Sequence, residues 1–276
     1  MITGMPRIAI AVNDFDGIVT LFRDVFGMPV IDISDTSVDS LGARLGMCVP
    51  PGGSNIELMC PANPEAPLSQ SLERFLGRRG EGLFALMLEA PVPDDEAEIL
   101  LDNGLNVLPL MEGTAGRDIH PNSTHGVLIR VYPDGSFQGQ QAETELSLNL
   151  SGIVKVMIAV NDVDQGSSVY GKGIGLPLDP VVTDEEQGVT YARCYPPTGG
   201  MIELVSPQDA SKASAGSIKE HLDSRGEGMY AIVLQAPDVG FVSDNLSSRG
   251  IDVRTVDEGV IEVDVFGARI RIESVR

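Results

Sequence analysis

Hydrophobic and polar positions alternate from Arg7 to Asp14, with Ile8, Ile10 and Val12 on one side, which is the period of a half-buried strand. Between residues 15 and 26 the period lengthens. Phe15, Val19, Phe22 and Phe26 recur at helical spacing, and Gly27 supplies a stop. A short extended stretch near Val30–Ile33 precedes strand-like runs at 43–49 and 55–60, joined across Pro50-Pro51-Gly52-Gly53. The order strand–helix–strand–strand–strand then starts again. A strand is predicted at 83–90, a helix at 94–103, a strand at 105–108, and extended pieces near Asp118 and at 127–131. Later in the chain the same pattern gives a strand at 230–235, a helix at 239–248 and strands at 251–256, 260–265 and 268–273.

Three phrases occur twice in the same order. Arg7-Ile-Ala-Ile-Ala-Val-Asn-Asp14 returns as Lys155-Val-Met-Ile-Ala-Val-Asn-Asp162, a shift of 148. Ile56-Glu-Leu58 returns as Ile202-Glu-Leu204 and Arg79-Gly-Glu-Gly82 as Arg225-Gly-Glu-Gly228, both shifted by 146. A near-constant offset over separate phrases is the mark of duplication. The expected architecture is α+β, with four βαβββ units in two pairs. The first domain is expected over 1–133, a polar, turn-rich linker over 134–150, and the second domain over 151–276. Asn13-Asp14 and Asn161-Asp162 follow strands and precede helices, so they read as N-caps. The Arg-Gly-Glu-Gly segments read as glycine-rich approaches to a strand. They lack the lysine and the strand-to-helix context of a phosphate loop.

The chain has 276 residues, long enough for two domains with their own cores. Its net charge of −21 is spread over both halves, with 8 basic against 21 acidic residues in 1–150 and 11 against 19 in 151–276. That balance opposes nucleic-acid and anionic-membrane partners, which need a basic footprint. An anionic ligand would have to be held by local arginines against the global field. No apolar run is long enough to span a bilayer, and the first residues lack a signal-peptide pattern. Cys48, Cys60 and Cys194 have no metal-type spacing, and Cys48 and Cys194 share a repeat position, so they read as small core residues. A reducing, cytoplasmic setting is expected.

These phrases, on paired βαβββ units, resemble the vicinal oxygen chelate superfamily of glyoxalase I, extradiol dioxygenases and methylmalonyl-CoA epimerase, and are most like the last. The resemblance covers nearly all of each half. Its first strand is matched by Arg7–Asp14, its Glu-Leu-x-x-Pro strand by Ile56–Pro61, and its Gly-x-His-His by Gly82-Leu83-Phe84-Ala85. Its close is matched by His120-Pro-Asn-Ser123 and Gly126–Val131. In such proteins a His, a Glu or Gln, a second His and a Glu hold one divalent metal within a cupped sheet. The resemblance puts Arg7, Glu57, Ala85 and Arg130 at these positions in the first half, and Lys155, Glu203, Ala231 and Arg271 in the second. Arginine offers no lone pair and alanine no ligand atom. One carboxylate does not make a transition-metal site. His120, His125 and His221 fall on none of the ligand positions. No metal and no other cofactor are expected.

Each half thus replaces the ligands by the same set, cation, carboxylate, alanine and arginine. One reading is a salt-bridge plug filling a vacated cavity, since buried charges must be paired. The other is a cup in which cations polarise a carbonyl or hold a carboxylate. The resemblance further places a general-base position on Tyr191, after Glu186-Gln-Gly-Val189, where the first half has Leu45. A phenol serves as a base near neutral pH only beside a cation, and a tyrosine that only makes a structural hydrogen bond is the plainer reading. The expected catalytic set is therefore Tyr191, Lys155, Arg271 and Glu203, with Arg7, Glu57, Arg130 and His125 as substrate-binding residues. His120 is expected to cap a turn. Arg74, Arg78 and Arg79 form a basic cluster near a helix end, which reads either as solvated charge or as a phosphate contact.

The function expected from these residues is a metal-independent isomerase or epimerase, or a lyase, acting on a small carboxylate, ketone or acyl thioester. The alternative is a non-catalytic binder of the bleomycin-resistance type, against which stands a chain only 5% aromatic with no Trp. A metal-dependent dioxygenase ranks third. The partner expected in every case is a small anionic or carbonyl-bearing molecule. Oligomeric state is open, a homodimer included.

Overall fold

A computed structural model describes residues 1–111, 113–137 and 148–275. The first half begins with β1 (Gly4–Ala11), α1 (Phe15–Thr20) and β2 (Val30–Asp32), followed by α2 (Ser34–Leu41), β3 (Ala43–Cys48), β4 (Asn55–Pro61) and α3 (Pro67–Arg79). It continues with β5 (Gly82–Ala90), α4 (Pro93–Asp102), β6 (Arg117–Ile119) and β7 (Leu128–Pro133). In the second half come β8 (Lys155–Ala159), α5 (Val163–Ser167), β9 (Val182–Asp184), β10 (Val189–Cys194), β11 (Met201–Pro207) and α6 (Ala213–Arg225). After these come β12 (Gly228–Ala236), α7 (Val239–Ser248), β13 (Arg254–Asp257), β14 (Val260–Val265) and β15 (Ala268–Ser274).

Each half builds one sheet. The first has seven strands in the order β2-β3-β4-β1-β5-β7-β6, the second eight in the order β13-β14-β15-β12-β8-β11-β10-β9. In both, the two βαβββ units join through their opening strands, β1 against β5 and β8 against β12, antiparallel. The Ile8/Ile10/Val12 side of β1 enters a large core shared by both halves, while Ala9 and Ala11 point to the other face, beneath α3. Ala159, Ala231 and Val233 do the same beneath α6. Small residues on these inner faces leave the hollow in which each site lies.

The halves are tied by backbone. Ile153 N donates to Ser54 O at 2.8 Å, Ser54 N returns to Ile153 O at 2.9 Å, and Met5 N donates to Thr198 O at 2.9 Å. The Arg-Gly-Glu-Gly segments meet the opposite half. A Cβ on Gly126 would lie 1.9 Å from Glu227 O, and one on Gly267 2.1 Å from Glu81 O, so both contacts demand glycine. Glu81 and Glu227 in turn accept from Asn13 N and Asn161 N at 2.7 and 2.8 Å, closing the ends of β1 and β8.

Local chemistry accounts for most boundaries. Asp14 caps α1 through Gly17 N, and Asp162 caps α5 through Asp164 N and Gln165 N. Gly27, at φ 69°, turns the chain after the wide turn Leu21–Val25 that extends α1. Two expectations need correction. Residues 105–108 form no strand and contribute only a bridge from Val107 to Ile119. The helix α2 was not foreseen, because Val38 and Leu41 are its only large apolar residues. It forms through Asp32, which accepts from Ser34 N at 2.9 Å, and Gly42, whose φ of 74° ends it. Of the linker expected at 134–150, residues 138–147 lie outside the described residues. Among the described residues no helix is long and apolar enough to cross a membrane. All three cysteines are free and buried, and burial pushes the Cys48 and Cys194 thiols up, the latter to about 12.

Candidate functional site

The first inner face is closed. Arg7 and Glu57 come from the parallel neighbours β1 and β4, and the Arg7 Nε donates to Glu57 Oε2 at 2.9 Å with both side chains buried. Arg7 also donates to Ser136 Oγ at 2.8 Å and lies 4.7 Å over the Tyr132 ring. Arg130 on β7 is 2% exposed, 3.2 Å from Asp118 and 5.5 Å from the Phe84 ring centroid. Its Nε and Nη2 are buried without an aligned hydrogen bond. Burial pushes the Asp118 carboxyl up more than the Arg130 charge pulls it down. Leu68, Leu72, Phe84 and Met87 pack the rest of the hollow. In this state Arg7, Glu57 and Arg130 offer a ligand no open surface.

The second inner face is open. A cavity of about 840 Å³ is lined by Lys155, Tyr191, Arg193, Glu203, Arg271 and Glu273, among others. Tyr191 and Arg193 alternate along β10, opposite Val205 and Glu203 of β11, so all four share a face. Glu203 accepts from Arg193 Nε at 2.9 Å and stands 3.4 Å from Lys155 Nζ, which is also 3.5 Å from Glu273. The Arg193 guanidinium lies 4.7 Å over the Tyr191 ring. Arg271 donates to Glu262 Oε2 at 3.2 Å, while its Nε is buried without a partner. Among the described residues the Tyr191 hydroxyl makes no hydrogen bond. The expected catalytic residues Tyr191, Lys155, Arg271 and Glu203 therefore meet at one cavity.

Arg193 and Glu273 were missed by the sequence reading. The signal lies in the strand register, which the structure supplies: Arg193 faces Glu203 as Met47 faces Glu57. Glu273 pairs with Gln235 as Tyr132 pairs with Glu89. His125 holds φ 52° and lies 2.9 Å from Glu227 of the other half, bordering a surface groove beside Lys172. His120 accepts from Asn122 N through Nδ1 at 3.1 Å and so caps its turn.

The donor set does not fit the metal that the resemblance implies. Glu203, the one carboxylate left at a ligand position of the second half, has a cation against each oxygen, and no three His, Cys, Asp or Glu converge among the described residues. What the set can do is bind an oxygen anion or a polarised carbonyl through Lys155 and Arg271.

Two sheets of paired βαβββ units, the second unit of the first half lacking one strand, have the vicinal oxygen chelate fold. Residues 152–259, in the second half, match the model of the Glyoxalase/Bleomycin resistance protein/Dioxygenase superfamily. The first half has the same architecture. Among solved structures, a triple mutant of 4-hydroxymandelate synthase from Streptomyces coelicolor shares the fold, with a TM-score of 0.70 over 99% of this chain and 93% of that one at 13% identity. Methylmalonyl-CoA epimerase from Mycobacterium tuberculosis is 23% identical over 46% of this chain and 89% of its own, with a TM-score of 0.40. A methylmalonyl-CoA epimerase in complex with methylmalonyl-CoA and NH4+ is 22% identical over 51% of this chain and 100% of its own, with a TM-score of 0.42. No curated protein sequence matches.

Proposed function

We propose that the second inner face is the reaction site of a metal-independent isomerase or epimerase acting on a small carboxylate, ketone or acyl thioester. The observation that carries this reading is the convergence of Tyr191, Lys155, Glu203 and Arg271 on one cavity of about 840 Å³, with the Tyr191 hydroxyl and the Arg271 Nε unengaged among the described residues. The substrate oxygen sits toward Lys155 and Arg271. When the C–H bond beside the carbonyl breaks, its electron pair moves onto that oxygen, and the two cations stabilise the enolate. Tyr191, in its phenolate form beside the Arg193 guanidinium, takes the proton to become the neutral phenol and returns it to the other face or position. Glu203 and Glu273 hold Lys155, and Glu203 also holds Arg193 over the Tyr191 ring. Loss of a positioned acid or base costs about 10²–10⁴ in rate.

The test is deuterium uptake from D2O into a panel of 2-oxo acids, ketones and acyl thioesters, read by mass spectrometry. The wild type is expected to label at least one class, with Tyr191→Phe slower by about 10²-fold or more and Arg271→Ala losing the same exchange. Undiminished exchange in both variants would overturn the assignment. Saturable binding by calorimetry with no exchange would point instead to a binding protein.

A further inference from the structure

A second cavity, of about 430 Å³, lies between the halves, where α3 and α6 end at the two Arg-Gly-Glu-Gly segments. It is distinct from the reaction cavity, and α6 separates them: Ser214 and Ile218 face one, His221 and Arg225 the other. Four guanidiniums line it, those of Arg74, Arg79, Arg225 and Arg269, against the single carboxylate of Asp264. Arg269 is taken up by Glu262, Asp264 and Ser217. Arg74, Arg79 and Arg225 have no hydrogen-bond or ion-pair partner among the described residues, in a chain with 40 acidic side chains to supply one.

The arrangement is reciprocal. Arg79 Nη1 reaches within 3.4 Å of where a Cβ on Gly228 would stand, and Arg225 Nη1 within 3.7 Å of the same point on Gly82. Each repeat therefore extends its arginine over the other repeat's strand start. Between them the wall is apolar and aromatic. Phe75 and Phe84 form an edge-on pair at 5.1 Å, and His221 and Tyr230 form its counterpart at 5.4 Å. Arg74, Arg79 and Arg225 are exposed side chains around one cavity, and their charges make its mouth a local positive field that favours an anion. The volume is that of a small-molecule site.

We infer that this interdomain cavity binds a small organic anion, its phosphate or carboxylate head held by Arg79 and Arg225 and its apolar body against Phe75 and Met229. The site uses both halves at once, which gives the duplicated Arg-Gly-Glu-Gly phrase a role that neither copy has alone. Such a ligand also locks the halves together, because it binds the assembled state only.

The test is calorimetry on the full chain with phenyl phosphate, benzoate and inorganic phosphate. One saturable site per chain is expected, with phenyl phosphate or benzoate tighter than inorganic phosphate, and the tighter of the two identifies the head group. The double variant Arg79→Ala/Arg225→Ala is expected to weaken binding about tenfold or more, which is the loss of roughly one charged contact. Arg225→Met, which keeps the stem, guards against a folding defect and is expected to weaken it as well. Arg193→Ala in the reaction cavity is expected to leave this binding unchanged, so the two sites fail or stand separately. The His221 ring, held down at about 4 by burial and by Arg269, Arg225 and Arg79, is expected to titrate higher by NMR when phenyl phosphate is bound. No saturable binding of any probe, equal binding by the arginine variants, or loss through Arg193→Ala would overturn the inference.

Discussion

The two inner faces descend from one pattern, yet one is filled and the other open, and five matched positions account for the difference. Where the first has Met47, Met59, Leu68, Met87 and Tyr132, the second has Arg193, Val205, Ser214, Val233 and Glu273. Each change shortens an apolar side chain or replaces it by a polar one. In the first half Arg7, Glu57 and Arg130 are sealed beneath side chains of this kind. In the second the corresponding charges stand at a cavity wall. The lesson concerns shape as much as charge. The same carboxylate and cations form a closed salt bridge under packed methionine and leucine, and a ligand-facing cluster where that packing is removed.

The sharpest way to break the comparison is to delete the shared carboxylate from each half. Glu57→Ala is expected to destabilise by about 3–5 kcal/mol in denaturant unfolding, because Arg7 is left charged and buried. Glu203→Ala is expected to cost about 1 kcal/mol, because Arg193 is 37% exposed and Lys155 keeps Glu273. Equal losses would mean that the two faces are energetically alike. Packing gives the next effect. Leu72→Ala is expected to cost about 2–5 kcal/mol, and Ile218→Ala less, because the space it vacates joins a cavity already present. Comparable unfolding midpoints for the two variants would contradict the closed-versus-open contrast.

The smallest effect is on pH dependence, at a position where the halves also differ. His221 stands where the first half has Phe75 and is pushed down to about 4 from 6.5, first by burial and then by Arg269, Arg225 and Arg79. The unfolded chain takes up this proton as pH falls through 6.5, while the folded chain resists until about 4. Stability is therefore lost as pH drops across that window. His221→Phe, which restores the first half's residue, is expected to flatten the melting-temperature profile over that interval. An unchanged slope would remove His221 from the account.

The strands and capped helices were legible because alternation, helical spacing and Asp caps are local signals. The repeat made the four units visible, and the resemblance marked Lys155, Glu203, Arg271 and Tyr191. The helix α2 was not legible, because a cap and a left-handed glycine make it rather than an apolar stripe. Arg193 was missed because its meaning depends on facing Glu203 across β10 and β11, which no spacing along the chain expresses. The same limit hid the interdomain cavity, whose arginines are far apart in sequence.

By itself the sequence determined the duplication and most of the strand and helix order, which are properties of residue type and offset, while the resemblance supplied the positions at which metal ligands would stand. Tertiary structure alone decided which hollow is open and where the unpaired arginines converge. Both depend on volumes and charges brought together from different strands and different halves, and a linear pattern records neither distance nor burial.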